Sequence, residues 1–295
     1  MRLSLVIGIF MLCTKVLAYY LTGSAAVLSD ASESVVHVFA VSFAAYSLRL
    51  SWKPPDQSHH YGHDKIAFFS AGLEGLLIIL AAAYVISVSV HKWIAGAKPD
   101  NLGKGAALIL AAGVINAVLG GYLLKAGRKY HSLILEADGR HVLTDCWTSL
   151  GVIAGLGLTH LTGWADWDPL VAILIALNIV WAGQKLIRRS IGGLMDEADP
   201  ATESQLTRLL VQITSEDQIG FHALRCRNAG NTVWIEFHLL FHKGIALESA
   251  HAVATRIEEK IQQAMGARVE IISHLEILED HDLTHTHPHP KEFVP

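Results

Sequence analysis

The chain has 295 residues, 52% of them hydrophobic and only 17% charged, with a mean hydropathy of +0.37, which is too apolar for a soluble domain of this size and points to a membrane protein. Its formal net charge of -4 and pI near 6.5 supply no basic field, which excludes nucleic-acid binding through phosphate contacts. Cys13, Cys146 and Cys226 form no CxxC pair, so neither a disulfide framework nor a thiolate zinc knuckle is expected, whereas 17 histidines point to metal or proton chemistry.

In chain order, six apolar stretches at about 3–21, 25–49, 65–95, 103–127, 132–161 and 167–189 are each long enough to cross hydrocarbon, which takes about 20 helical residues. The first, Leu3 to Tyr20, has only Arg2 ahead of it and no A-x-A cleavage signal, so it reads as a retained helix. A very short connection at Thr22-Gly23 leads to the second stretch, and a polar loop with a Pro-Pro break, SWKPPDQSHHYG, follows it. Arg49, Lys53, Lys65, Lys125, Arg128, Lys129, Lys185, Arg188 and Arg189 fall on one side, against Lys92, Lys98 and Lys104 on the other. By the positive-inside rule both termini are cytoplasmic. The compact loops and lack of a targeting segment fit a bacterial inner (plasma) membrane.

After Gly193 the chain becomes charged. Segments 200–215 and 248–265 have apolar residues at helical spacing. Between them Val233, Ile235, Phe237, Leu239 and Phe241 alternate with Trp234, Glu236, His238, Leu240 and His242, a strand with one face inward, and 221–227 and 268–277 are compatible with strands. The expected fold class is an all-α six-helix transmembrane domain over 1–192 and a cytoplasmic α+β domain over 193–280. The order α-β-β-α-β of the latter is ferredoxin- or metallochaperone-like. Residues 281–295, with His281, His285, His287 and His289 among prolines, are expected to be a flexible tail, either a low-affinity metal collector or merely a mobile terminus.

The second stretch contains LSDASESVVHVF, in which Glu33 and His37 are i, i+4 and share a helix face. The fifth repeats the device in EADGRHVLTDCW with His141 and Asp145. Two facing helices would therefore supply two imidazoles and two carboxylates, a tetrahedral set suited to Zn²⁺ and tolerable for Co²⁺, Fe²⁺ or Mn²⁺. Isolated polar residues satisfied between helices are the alternative, but each ionisable group at the bilayer centre costs about 3 kcal/mol, which disfavours matched pairs without a function. Asp30 and Asp138, one turn earlier, read either as proton-bearing or outer partners or as caps; Glu136 reads as interfacial. In the loop, Asp56, His59, His60 and His63 are dense enough for a small exposed metal site, or form an ordinary solvated loop. His222, His238, His274 and Glu276 lie in adjacent expected strands and could gather into one site, with His251 on the neighbouring helix.

These features together resemble the cation diffusion facilitator family of metal/proton antiporters. SAAVLSDA, HHYGHDKIAFFSAGLEG, DWDPLVA and GLMDEADP carry the resemblance, which covers essentially the whole chain. It implies transport, not enzymatic catalysis: proton-coupled efflux of a divalent cation, zinc first, through Glu33, His37, His141 and Asp145. It also implies a loop site at Asp56, His59 and His63 and a cytoplasmic site at His222, His238, His251, His274 and Glu276, with zinc both transported and structural. A homodimer in the lipid bilayer is implied, with a charge interlock at Lys65 and Asp196. Zinc exporters of the family commonly carry His-then-Asp or Asp-then-Asp on the second helix, whereas this chain has Glu33 then His37. An Fe²⁺, Mn²⁺ or Co²⁺ exporter, or a non-transporting membrane metal sensor, is therefore the alternative. A membrane metalloenzyme would need an activated water and a general base, and no HExxH motif is present.

Overall fold

The apolar stretches fold into six long helices: α1 Arg2–Thr22, α2 Ala25–Ser51, α3 Ile66–Ile94, α4 Leu102–Lys129, α5 Leu133–Thr162 and α6 Trp167–Leu194. The computed structural model describes residues 2–96, 98–129, 133–266, 268–280 and 292–293, and the side chains of these except 2–4, 127, 128, 133–141, 144, 280, 292 and 293. Among the described residues, 5 of the helices are long and apolar enough to cross a membrane; α5 is not among them, and Glu136, Asp138, Arg140 and Asp145 in its first half lower its hydropathy. Phe10, Phe39, Leu80, Val118, Leu174 and Trp181 are exposed. Such faces suit lipid and would be an aggregation hazard in water.

The chain forms two compact units, residues 1–47 with 70–188, and residues 48–69 with 189–295. The core of the first is built from small and β-branched residues, including Ala18, Ala25, Ala26, Ala82, Val85, Val152, Ala172 and Ala176. Small residues let helix backbones approach where no water drives association. Gly75 of α3 and Gly183 of α6 show this directly, since a Cβ on Gly75 would lie 2.9 Å from the Gly183 carbonyl oxygen. At the start of α2, Asp168 of α6 accepts from the Ala25 N–H at 2.7 Å, the Ala26 N–H at 3.2 Å and the Ser24 hydroxyl. A carboxylate from another helix thus satisfies donors that a helix terminus otherwise leaves open.

The second unit contains α7 Pro200–Asp217, β1 Gly220–Asn228, β2 Thr232–Phe241, α8 Leu247–Met265, β3 Arg268–Ile277 and β4 Glu292–Phe293. The expected α-β-β-α-β order is present, and the sheet order is β3-β2-β1-β4. The short strand β4 pairs with β1 and falls in the stretch expected to be a structureless tail. Asp199 caps α7, its carboxylate accepting from the Thr202 N–H at 3.0 Å, with Pro200 opening the helix. Ile235, Phe237, Leu239 and Phe241 of β2 are buried with Leu206, Leu210, Ile257 and Ile261, so the alternation read in the sequence does mark the core face, although Leu240 on the other face is buried too.

The loop between α2 and α3 belongs to this unit. Tyr61 meets Trp234 edge-on at 5.2 Å, Asp64 Oδ2 accepts from the Thr232 hydroxyl at 2.8 Å, and Lys65 Nζ lies 2.8 Å from Asp196 Oδ1. Arg227 is 3.3 Å from Asp196 Oδ2. Burial alone would raise the Asp196 carboxyl, but Lys65 and Arg227 outweigh it and hold the group below its ordinary value.

Candidate metal centres

In the first unit, a cavity of about 20 Å³ is walled by Gly8 and Met11 of α1, Ser34 and His37 of α2, Asn116 and Leu119 of α4, and Val142 and Asp145 of α5. That volume admits about one water or one ion. Glu33, one turn before His37, has its Oε2 buried with no hydrogen-bond partner among the described residues, and its side chain also reaches Thr148 on α5. A buried carboxylate oxygen without a hydrogen-bond partner is costly, which marks Glu33 as a candidate cation ligand, although Glu33 is not among the residues that line the cavity. Among the described residues, Glu33, His37 and Asp145 do not bring one ligand atom each within 4.8 Å of one another. The side chains of His141, Asp138 and Glu136 lie outside the described residues.

Beside this cavity is a group that the sequence reading passed over. Lys15 of α1 is 1% exposed, and its Nζ lies 2.9 Å from Asp30 Oδ1; Ser149 of α5 donates to the same oxygen at 2.9 Å. The signal was available, because Lys15 and Asp30 are nearly equidistant from the Gly23–Ser24 turn and a helical hairpin brings them to one depth.

In the second unit, Asp56, His59 and His63 place ligand atoms within 4.8 Å of one another. Asp56 Oδ1 accepts from the His59 N–H at 2.9 Å and the Ser58 N–H at 3.1 Å, and Lys53 Nζ pairs with Oδ2 at 2.7 Å. The Lys53 ammonium first, then His59 and Ser58, hold the Asp56 carboxyl well below the usual carboxylate range. His63 Nδ1 is 3.3 Å from the Lys53 carbonyl oxygen, to which it can only donate. Its lone pair is then on Nε2, which faces Asp56 Oδ2 at 3.6 Å, the orientation by which a second hydrogen bond prepares a metal-binding imidazole. His60 is exposed and outside this group.

The sheet assembles a further set through its register. His222 on β1 is opposite His238 on β2, and the parallel β2/β3 ladder puts His238 beside His274. Glu276, two residues on, lies on the same face of β3 as His274. His222 Nε2 is 2.9 Å from Glu276 Oε2 and His238 Nδ1 is 2.8 Å from Oε1, while His274 Nε2 is 3.5 Å from Oε1. Ligand atoms of His222, His238 and Glu276 all lie within 4.8 Å of one another; His274 is at the exposed rim, its ring 4.9 Å from that of His238. Burial pushes the His238 imidazole below its ordinary value, with Glu276 opposing and His222 and His274 reinforcing. The register shifts immediately after His222, where Ala223 has φ 52, a bulge of the kind that re-aims side chains at sites. His251 is exposed on α8 and outside the group. The tail histidines His281, His285, His287 and His289 lie outside the described residues.

The donor sets of both clusters, two imidazoles and one carboxylate each, are of the kind that binds zinc.

Residues 1–195 match the family model described as the cation efflux transmembrane domain, and residues 198–278 match that of the cation efflux protein cytoplasmic domain. Among curated relatives, a transporter of Synechocystis sp. is 36% identical over 282 residues, covering 95% of this chain and 89% of its own length. Protein p34 of Rickettsia prowazekii is 26% identical over 272 residues, 92% of this chain and 89% of its own. The cation-efflux pump FieF of Salmonella paratyphi A is 28% identical over 252 residues, 85% of this chain and 83% of its own.

Proposed function

Because the chain belongs to the cation diffusion facilitator family of multi-pass cation-efflux transporters, we propose that it exports a divalent transition metal, zinc first, in exchange for protons through one site between α2 and α5. Glu33, His37, His141 and Asp145 are the ligands. The observation that carries this reading is the cavity of ionic size that His37 of α2 and Asp145 of α5 both line, with Glu33, one turn from His37, burying an Oε2 that has no hydrogen-bond partner among the described residues. Two carboxylates neutralise a divalent charge, and two imidazoles complete a tetrahedral set.

The cation binds only deprotonated ligands, so loading it releases protons and protonating the site releases it. His37 and His141 are the natural proton carriers, since free imidazole titrates near pH 6.5. Alternating exposure of the cavity to the two sides then converts a proton gradient into metal export. Six spans would leave both termini on one side, and the positive-charge bias supports the cytoplasm as that side; the proposed location is a bacterial inner membrane.

The loop and sheet clusters act as resident zinc sites. Asp56, His59 and His63 would hold one ion, and His222, His238 and Glu276, with His274 at the rim, would hold another, with ligands drawn from three strands. Binding to the folded state stabilises the cytoplasmic domain by linkage and supports pairing of two copies through it.

Zinc accumulation by everted membrane vesicles tests the transport site. Glu33→Gln and Asp145→Asn should each lower it by at least the about 10–100-fold that loss of a group supporting a metal ligand costs; accumulation at the parental rate in both would remove these residues from the site.

A further inference from the structure

The Lys15–Asp30 pair stands beside the cation ligands without belonging to them. Asp30 is one helical turn from Glu33 on α2, and Ser149 is one turn from Asp145 on α5. Lys15 Nζ and the Ser149 hydroxyl both engage Asp30 Oδ1 at 2.9 Å, and Asp30 Oδ2 is buried with no hydrogen-bond partner among the described residues. The Glu33 and Asp145 carboxylates also act electrostatically on Lys15.

Charge balance gives the pair its consequence. Lys15 and Asp30 cancel, so Glu33 and Asp145 are the charges left for a divalent cation to neutralise. Without Lys15, Asp30 becomes a third carboxylate, already carrying an unengaged oxygen one turn from Glu33. A cation would then be held more tightly and released more slowly, because affinity differences at one site are expressed mainly in dissociation rates.

We propose that Lys15 is a positioning residue that sets cation affinity at the transport site: a resident ammonium that keeps Asp30 out of the cation's coordination. The inference rests on Glu33, His37, His141 and Asp145 being the transport site.

Zinc transport kinetics of the full chain in proteoliposomes test it, with Asp145→Asn as the reference for the site itself. Lys15→Met should lower KM about tenfold and lower kcat with it, from removal of one nearby charge in a low-dielectric setting. Asp30→Asn leaves the ammonium unpaired and should raise KM by a similar, roughly tenfold factor. The opposite signs separate this role from structural damage, which shifts both variants the same way. Lys15→Met/Asp30→Asn should return both constants towards the parent, and Lys15→Arg should stay near it. Shifts of one sign in both single variants, no shift, or a double variant no closer to the parent overturns the role of Lys15. With Asp145→Asn inactive, those results leave the transport site standing; Asp145→Asn with parental kinetics overturns the site and Lys15 together. If Lys15→Met does not reach the membrane, Asp30→Asn alone decides, and an unchanged or lowered KM overturns the proposal.

Discussion

His238 ties acidity to the integrity of the sheet. Its imidazole is held below the ordinary value by burial, against the pull of Glu276. A histidine whose folded pKa is lowered adds stability that is complete above its unfolded value of about 6.5 and is lost as pH falls from there towards the folded value. Metal-free protein should therefore lose amide-exchange protection in β2 as pH falls below about 6.5, and His238→Gln should flatten that dependence; an equal loss in the variant would remove His238 as its cause. Glu33, His37 and Asp145 stand out as candidates in the sequence because charge in an apolar helix is costly enough to need a reason. Lys15 carries the same cost in α1 but stands alone there, with no i, i+4 partner, and its meaning appears only across the Gly23 turn, where Asp30 meets it. Glu276 was legible as a residue but not as the hub that all three strand histidines approach.

The helices were legible to within a few residues because a membrane-length apolar run has few other folds open to it. The sheet was legible as strands with an inner face, since alternation sets the face. Alternation does not set which residue of one strand meets which of the next, so the alignment of His222, His238 and His274 needed the observed register. Two-residue β4 carries too little pattern to be foreseen. Asp168 looked like one polar residue in DWDPLVA, and its role depends on α2 beginning beside it. Asp168→Ala leaves those donors buried and should lower stability in detergent by about 2 kcal/mol, read from thermal unfolding, with Asp168→Asn losing less; an unchanged midpoint would mean that water replaces the carboxylate. At the α3–α6 contact, Gly75→Val should cost about 1–3 kcal/mol by forcing the backbones apart, and parental stability in that variant would show that the helices separate without loss.

At the scale of the whole molecule, one chain carries three donor sets with different surroundings. The loop and sheet sets are near water, gathered within 4.8 Å and suited to holding an ion. In the first unit His37 and Asp145 line a cavity of about 20 Å³, a setting in which desolvation would couple the exchange of one charge for another. On the proposed mechanism, cation and proton exchange at Glu33, His37, His141 and Asp145. Proton flux into proteoliposomes on zinc addition, compared between the parent and Glu33→Gln/Asp145→Asn, tests it most directly. Zinc-driven proton movement in the parent and none in the double variant is the predicted result; zinc-driven proton movement that survives in the double variant would contradict it.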